Sequence, residues 1–203
     1  MPDKFTNSVT QGTKSAQNDD EDCGFNYPGI IAGILMIILP FTGKWWQLTF
    51  GDGALYIAAS PFGLTVYSFG EAIISPLITS LTMALTGIII VFGIILIVGS
   101  VFANMPEKRN ISVILINSGS LKAVFVVLVF FVAVITAGII FSQYFSLYGF
   151  SGSFPILSGY SAMAMNSGGF SVIIPVKSEL SPALLFAVAV AVAGLATRYY
   201  GKK

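Results

Sequence analysis

The chain has 203 residues, 55% of them hydrophobic and only 9% charged, with a formal net charge of +1 and a mean hydropathy of +0.86. A water-facing domain ordinarily carries about 25% charged residues, so lipid is expected to face much of this chain. The near-zero net charge and the lack of a basic patch interleaved with aromatics exclude a nucleic-acid binder. With no histidine and one cysteine, Cys23, a disulfide within the chain is excluded. Zinc, haem and iron–sulfur sites draw on Cys and His, so no metal and no cofactor is expected. Asp19, Asp20, Glu21 and Asp22 beside Cys23 would raise a thiol pKa and disfavour a reactive thiolate.

In chain order, residues 1–26 are polar and acidic and read as a disordered cytoplasmic tail. A first membrane span is expected over 27–46, with Pro28 in its first turn and Tyr27, Trp45 and Trp46 as interface anchors. An outer, β-rich loop follows over 47–74. The second span, 75–103, is free of ionisable residues. At ~1.5 Å per residue it would exceed a hydrocarbon core of ~30 Å. Residues 104–122 read as a cytoplasmic loop, and 123–144 as a third span anchored by Tyr144. A second outer β-rich loop, 145–180, leads to a fourth span over 181–200, anchored by Tyr199 and Tyr200, with 201–203 as a cytoplasmic end. The Ala–Val alternation at Ala187–Val192 also fits a strand, but a lone strand cannot satisfy its backbone in lipid. The expected fold class is therefore all-α transmembrane: a four-helix membrane bundle with a small extracellular β-sheet built from the two outer loops.

Lys108, Arg109, Lys122, Arg198, Lys202 and Lys203 lie on one side of this arrangement, against Lys44 and Lys177 on the other. The positive-inside bias then places both termini in the cytoplasm of a multi-pass protein of the cell membrane, or of the host membrane if virus-encoded. The sequon Asn110-Ile111-Ser112 falls on the cytoplasmic side, where it stays unmodified. Within the outer loops, Gln47–Phe50, Ala54–Ser60, Leu64–Phe69 and Phe170–Val176 have strand composition. Gly51-Asp52-Gly53 and Asn166-Ser167-Gly168-Gly169 read as turns. Isolated hairpins are marginal in water, so the two loops are expected to meet in one sheet. Each half runs helix, β-like loop, Ser-Pro, helix, with Ser75-Pro76 and Ser181-Pro182 as helix starts, which suggests a weak internal repeat.

No catalytic residue is expected. There is no histidine base, and Lys44, Asp52, Glu71, Lys177 and Glu179 are the few charges on the outer side. The span interiors lack the ionisable residues that mark a driven ion pathway. Ser75, Thr79, Ser80, Thr82 and Thr86 form a polar thread on the second span, read either as a pore lining or as hydroxyls bonded to helix carbonyls. Gly87, Gly93 and Gly99, and Ala183, Ala187 and Ala191, recur on helical faces and are expected to pack against neighbouring helices. Aromatics crowd the outer side in excess of what an interface belt and a small sheet need, which points to a contact surface.

A four-span layout with a Trp45-Trp46-bearing, β-rich first outer loop resembles the claudin-type tetraspan plan. The Gly-Leu-Trp motif and paired loop cysteines of that family are missing here, so the resemblance implies a layout and no site. The composition, rich in Ile, Val, Phe, Tyr and Gly and lacking His, is similar to small four-span membrane proteins of archaea and their viruses. The functional expectation is a non-enzymatic membrane protein that presents an aromatic, low-charge surface as an assembly component or accessory subunit. Its partners would be the bilayer and a homo-oligomer or larger membrane complex. The alternative is a passive pore or carrier for a small uncharged solute.

Overall fold

The computed structural model describes residues 26–167 and 170–200. Helix α1 spans Tyr27–Ile38. Asn26 begins it: its Oδ1 accepts the Gly29 N–H at 3.2 Å, and Pro28 sits in the first turn, where a missing N–H costs nothing. Asn26 is buried, so it is a cap and not the last residue of a tail. A 3₁₀ turn, Leu39–Phe41, contains Pro40 and ends the helical run. Strands β1 (Trp46–Phe50), β2 (Leu55–Ser60), β3 (Gly63–Ser68) and β4 (Glu71–Ile73) follow. The β1–β2 turn has Gly51, Asp52 and Gly53 all at positive φ, where glycine adds no steric cost. Next come α2 (Pro76–Phe102), a 3₁₀ turn at Pro106–Lys108, and α3 (Arg109–Leu147). The chain closes with β5 (Phe150–Ser151), β6 (Gly159–Ser167), β7 (Phe170–Leu180) and α4 (Pro182–Tyr200). The Gly168-Gly169 turn, Cys23, the acidic run 19–22, Lys202 and Lys203 lie outside the described residues, as do the side chains of Tyr199 and Tyr200.

All the strands join one antiparallel sheet of seven, ordered β4-β3-β2-β1-β7-β6-β5. The two β segments meet at the β1–β7 pair, with Leu48 opposite Ser178 and Phe50 opposite Val176. At that junction the first strand of one segment, β1, lies beside the last of the other, β7. Ser75 makes no side-chain cap bond, and the Ser181 hydroxyl donates to the Lys44 carbonyl.

The expectation of an all-α four-helix membrane bundle is overturned. This is an α+β fold, and two helical stretches, Pro76–Phe102 and Pro106–Leu147, are long and apolar enough to cross a membrane. The other apolar helical stretches, Tyr27–Phe41 and Pro182–Arg198, are shorter. The residues that would have completed the first span are strand instead. Trp45 and Trp46 are not interface anchors: they are 0% and 4% exposed and fill the joint between sheet and helices.

The expected loop over 104–122 is also corrected. Apart from a short turn it is the first third of α3. Ser112, Ile116, Gly119, Ser120 and Ala123 are its buried residues, at spacings of three or four that fall on one helix face. The polar residues between them conceal this period from a reading of composition.

The helices pack α1 on α2, α2 on α3, α3 on α4, and α4 back on α1. Small residues set the closest approaches. A Cβ on Gly93 would lie 2.9 Å from the Gly33 carbonyl oxygen, and one on Gly99 would lie 2.8 Å from the Leu115 Cβ. Ser112 on α3 donates to the Gly99 carbonyl at 2.7 Å. Gly119 faces Leu96, and Gly194 on α4 faces the Ser120 backbone. Ala187 and Ala191 are buried and Ala183 is half-buried, while Gly87 faces open space.

The sheet lies against the upper half of α3, and aromatic rings join them. Phe50 stacks on Phe145 with centroids 4.9 Å apart, Phe154 packs between Phe141 and Phe145, and Trp45 meets Phe130 edge-on at 5.1 Å. Gly138 gives Ile156 room to sit on α3.

Two consequences can be measured as thermal midpoints in a single detergent. Gly93→Ala forces two helix backbones apart and should lose about 1–3 kcal/mol. Gly87→Ala, in open space, should gain up to about 1 kcal/mol from helix propensity. The tryptophans should also separate. Trp46 Nε1 donates to the Ile156 carbonyl at 3.1 Å, whereas Trp45 Nε1 is buried with no partner among the described residues. Trp46→Phe orphans an acceptor, a loss of about 1–3 kcal/mol, while Trp45→Phe deletes an unmet donor and should cost less.

Candidate functional site

Part of one face of the sheet, around β1 and β5, packs on α3. On the opposite face, successive strands place polar side chains side by side, since residues two apart share a face. Gln47 of β1 lies opposite Ala58 of β2 and Glu179 of β7, and Thr49 opposite Tyr56 and Lys177. From this register a continuous chain of contacts runs across three strands. Lys44 Nζ donates to the Tyr56 hydroxyl at 2.6 Å and stands 5.2 Å from that ring's centroid. The Tyr56 hydroxyl donates to Gln47 Oε1 at 3.2 Å. Gln47 Nε2 donates to Glu179 Oε2 at 2.7 Å, and Lys177 Nζ lies 2.5 Å from Glu179 Oε1. The hydrogen bonds from Lys177 and Gln47 hold the Glu179 carboxyl below its ordinary value, against a small opposing effect of burial.

Beside Lys44 an open groove of about 350 Å³ lies where the turn after α1 meets β2 and β3. Ser60 and Thr65 place hydroxyls on its wall, and Phe62, whose ring meets Trp45 edge-on at 5.7 Å, forms part of the lining. A second groove, about 400 Å³ and wholly apolar, runs between Val124, Leu128 and Val132 of α3 and Val188, Val192 and Leu195 of α4.

At the other end of the sheet, β6 and β7 extend past β1, whose last pairing is Phe50 with Val176. No charged residue occurs from Gly159 through Val176. Tyr160, Phe170, Val172 and Ile173 of this hairpin are exposed, as are Tyr144, Leu147 and Tyr148 at the end of α3.

The structure separates the residues that the sequence groups together. Of the outer aromatics, Trp45, Trp46 and Phe154 are buried, and Phe50, Phe62, Phe145 and Phe150 pack on that core. Tyr67, Phe69, Tyr144, Tyr148, Tyr160 and Phe170 are exposed, so the surplus divides between an internal stack and a surface. Tyr27 is exposed at the start of α1, and Tyr144 shares a 3.1 Å hydrogen bond with Tyr148.

Lys108 stands over the Phe102 ring and Lys122 over the Phe92 ring. Arg198 donates to Asn117 Oδ1 at 2.9 Å, and Arg109 starts α3. Along α2, the Thr79, Thr82 and Thr86 hydroxyls donate to the carbonyls of Ser75, Thr79 and Thr82, so the polar thread spends its donors on its own helix. Among the described residues, no cluster of His, Cys, Asp and Glu could hold a metal ion.

Sequence reasoning missed the Lys44–Tyr56–Gln47–Glu179–Lys177 chain because its ends lie more than 130 residues apart and only the β1–β7 pairing unites them. A partial signal existed: Lys177 and Glu179 alternate on one strand, and Gln47 and Thr49 alternate with apolar residues on another. Comparison with protein families, with curated proteins and with solved structures finds no match to this chain.

The depressed Glu179 carboxyl carries a sign. Its contribution to stability is complete above the ordinary glutamate value of 4.5 and is lost as the pH falls through the lower folded-state value. The thermal midpoint of the wild type should therefore fall between about pH 5 and about pH 3. Glu179→Gln should start lower at neutral pH and show a shallower decline over that range.

Proposed function

We propose that this chain is a non-enzymatic membrane protein, an assembly component or accessory subunit whose sheet forms a contact surface at the membrane. In this reading α2 and α3 lie in hydrocarbon, the shorter helices share part of that depth, and the sheet stands outside it. The segments proposed to cross carry few charges, and apart from Thr79, Ser80 and Thr136 the exposed side chains along α2 and the middle of α3 are apolar.

The single observation that carries the contact role is the charge-free β6–β7 hairpin projecting past β1, with Phe170 79% and Ile173 69% exposed. A strand pair in water normally sets polar residues on its free face. Here the free end carries exposed apolar side chains on both faces of β7, Phe170 and Val172 on one and Ile173 on the other. Exposed apolar side chains gathered on one charge-free element suit protein–protein contact, and aromatic residues are enriched at the centres of such contacts.

The test is purification of the full chain from its native membrane in several mild detergents, with mass measured by light scattering. Release should require detergent, and the particle should exceed the 21.5 kDa of one chain. Phe170→Ser and Val172→Ser together, on one face of β7, should weaken the assembly by about 30-fold, the loss of roughly 2 kcal/mol typical of an interface hot spot. A lone wild-type monomer in every mild detergent would overturn the contact role, and release without detergent would overturn the membrane placement.

A further inference from the structure

The groove beside Lys44 combines a spare positive charge with a hydrophobic track. In the network across the sheet, two lysines face one carboxylate. Glu179 is engaged by Lys177 at 2.5 Å and by Gln47 at 2.7 Å. Lys44 uses one N–H on the Tyr56 hydroxyl, and an ammonium has three to give. It is thus the surplus cation of the cluster, and it lines a groove together with Tyr56, Ser60 and Thr65, the Tyr56 hydroxyl donating to Gln47 and that of Ser60 to the Gly63 carbonyl.

The groove sits where the chain leaves its helices. Pro40 lines it, Phe41 beside Pro40 is 72% exposed, and the Ser181 hydroxyl just before α4 donates to the Lys44 carbonyl. The end of α1 and the start of α4 therefore lie at one level. Below Phe41, the exposed residues Ile38, Ile34 and Ile31 follow at spacings of three and four, a continuous apolar stripe down one face of α1.

We propose that this groove binds the phosphate of an anionic phospholipid headgroup. Lys44 donates a charge-assisted hydrogen bond to a phosphate oxygen, Tyr56 holds the ammonium in place, and the acyl chains lie along Phe41, Ile38, Ile34 and Ile31. The stripe distinguishes a lipid from a free phosphate, which would gain nothing from it. The inference rests on the membrane placement proposed above.

The probe is the full chain in nanodiscs of phosphatidylcholine and phosphatidylglycerol, released into the gas phase for native mass spectrometry of retained lipid. Wild type and Lys44→Arg should retain phosphatidylglycerol in preference to phosphatidylcholine. Lys44→Gln should lower that preference about tenfold, the loss of one charge-assisted bond worth roughly 1.4 kcal/mol, and Tyr56→Phe should lower it partway. Lys122→Gln, which removes a lysine distant from the groove, should leave it unchanged.

Equal retention by wild type and Lys44→Gln, or an equal loss in Lys122→Gln, would overturn the site. Competition by millimolar inorganic phosphate as effective as that of the lipid would make free phosphate the ligand and overturn the lipid assignment. If Lys44→Gln fails to fold, Tyr56→Phe alone decides: an undiminished preference in that variant counts against the site. A chain released without detergent sinks the membrane placement. A chain that needs detergent but shows no Lys44 dependence sinks this inference alone.

Discussion

Both layers of the molecule depend on packing against one helix, α3. That helix has 39 residues and, at ~1.5 Å per residue, is ~58 Å long. Its lower part meets α2 and α4 through Ser112, Gly119 and Ser120; its upper part carries the sheet through Phe130, Phe141 and Phe145. A sheet of seven strands needs one covered face, and no second sheet or separate helical layer supplies it among the described residues. The rings that the sheet turns inward, Trp45, Phe50, Phe150 and Phe154, close on α3 instead. Edge-on and stacked pairs of this kind add about 0.5–1.5 kcal/mol each beyond the area they bury, so the joint is directional as well as apolar.

The lower layer works on a different scale. There, contact is set by missing side chains. Gly33 against Gly93, Gly99 against Leu115, and Gly194 against Ser120 bring backbones together more closely than a Cβ would allow. The buried hydroxyl of Ser112 satisfies itself on a neighbouring helix, and that of Ser100 on its own. Dispersion falls off steeply with separation, so close approach replaces bulk as the source of cohesion. Helices whose outer faces are apolar can in this way hold together without a hydrophobic gradient between interior and surroundings. That is the condition the proposed membrane placement imposes.

The outer face of the sheet follows a third logic. Its polar chain from Lys44 to Lys177 pins the β1–β7 junction where the two β segments meet, and it leaves one positive charge in excess. The hairpin beyond it is uncharged and apolar. The proposed lipid site and the proposed contact surface thus lie at opposite ends of the same sheet, the first where helices give way to strands and the second where strands outrun α3. The two proposals use different residues and different physics, charge in one and apolar area in the other.

Composition by itself determined that much of this chain is apolar, that α2 is a long uncharged helix, and that Gln47–Phe50, Ala54–Ser60 and Phe170–Val176 are strands whose turns need glycine. Composition also limits the ligands on offer, because the chain has no histidine and one cysteine. These properties are local: they depend on residue type and spacing within one segment. Tertiary structure decided the rest. It made the fold α+β, turned Trp45 and Trp46 from expected anchors into core, and extended α3 back to Arg109. It left Gly87 open while pressing Gly93 and Gly99 into contact, and it brought Lys44, Gln47 and Glu179 together across more than 130 residues. Which face of a helix meets a neighbour, and which strand lies beside which, are set by distant partners. No window along the chain contains those partners, so a residue's neighbours in space cannot be read from its neighbours in sequence.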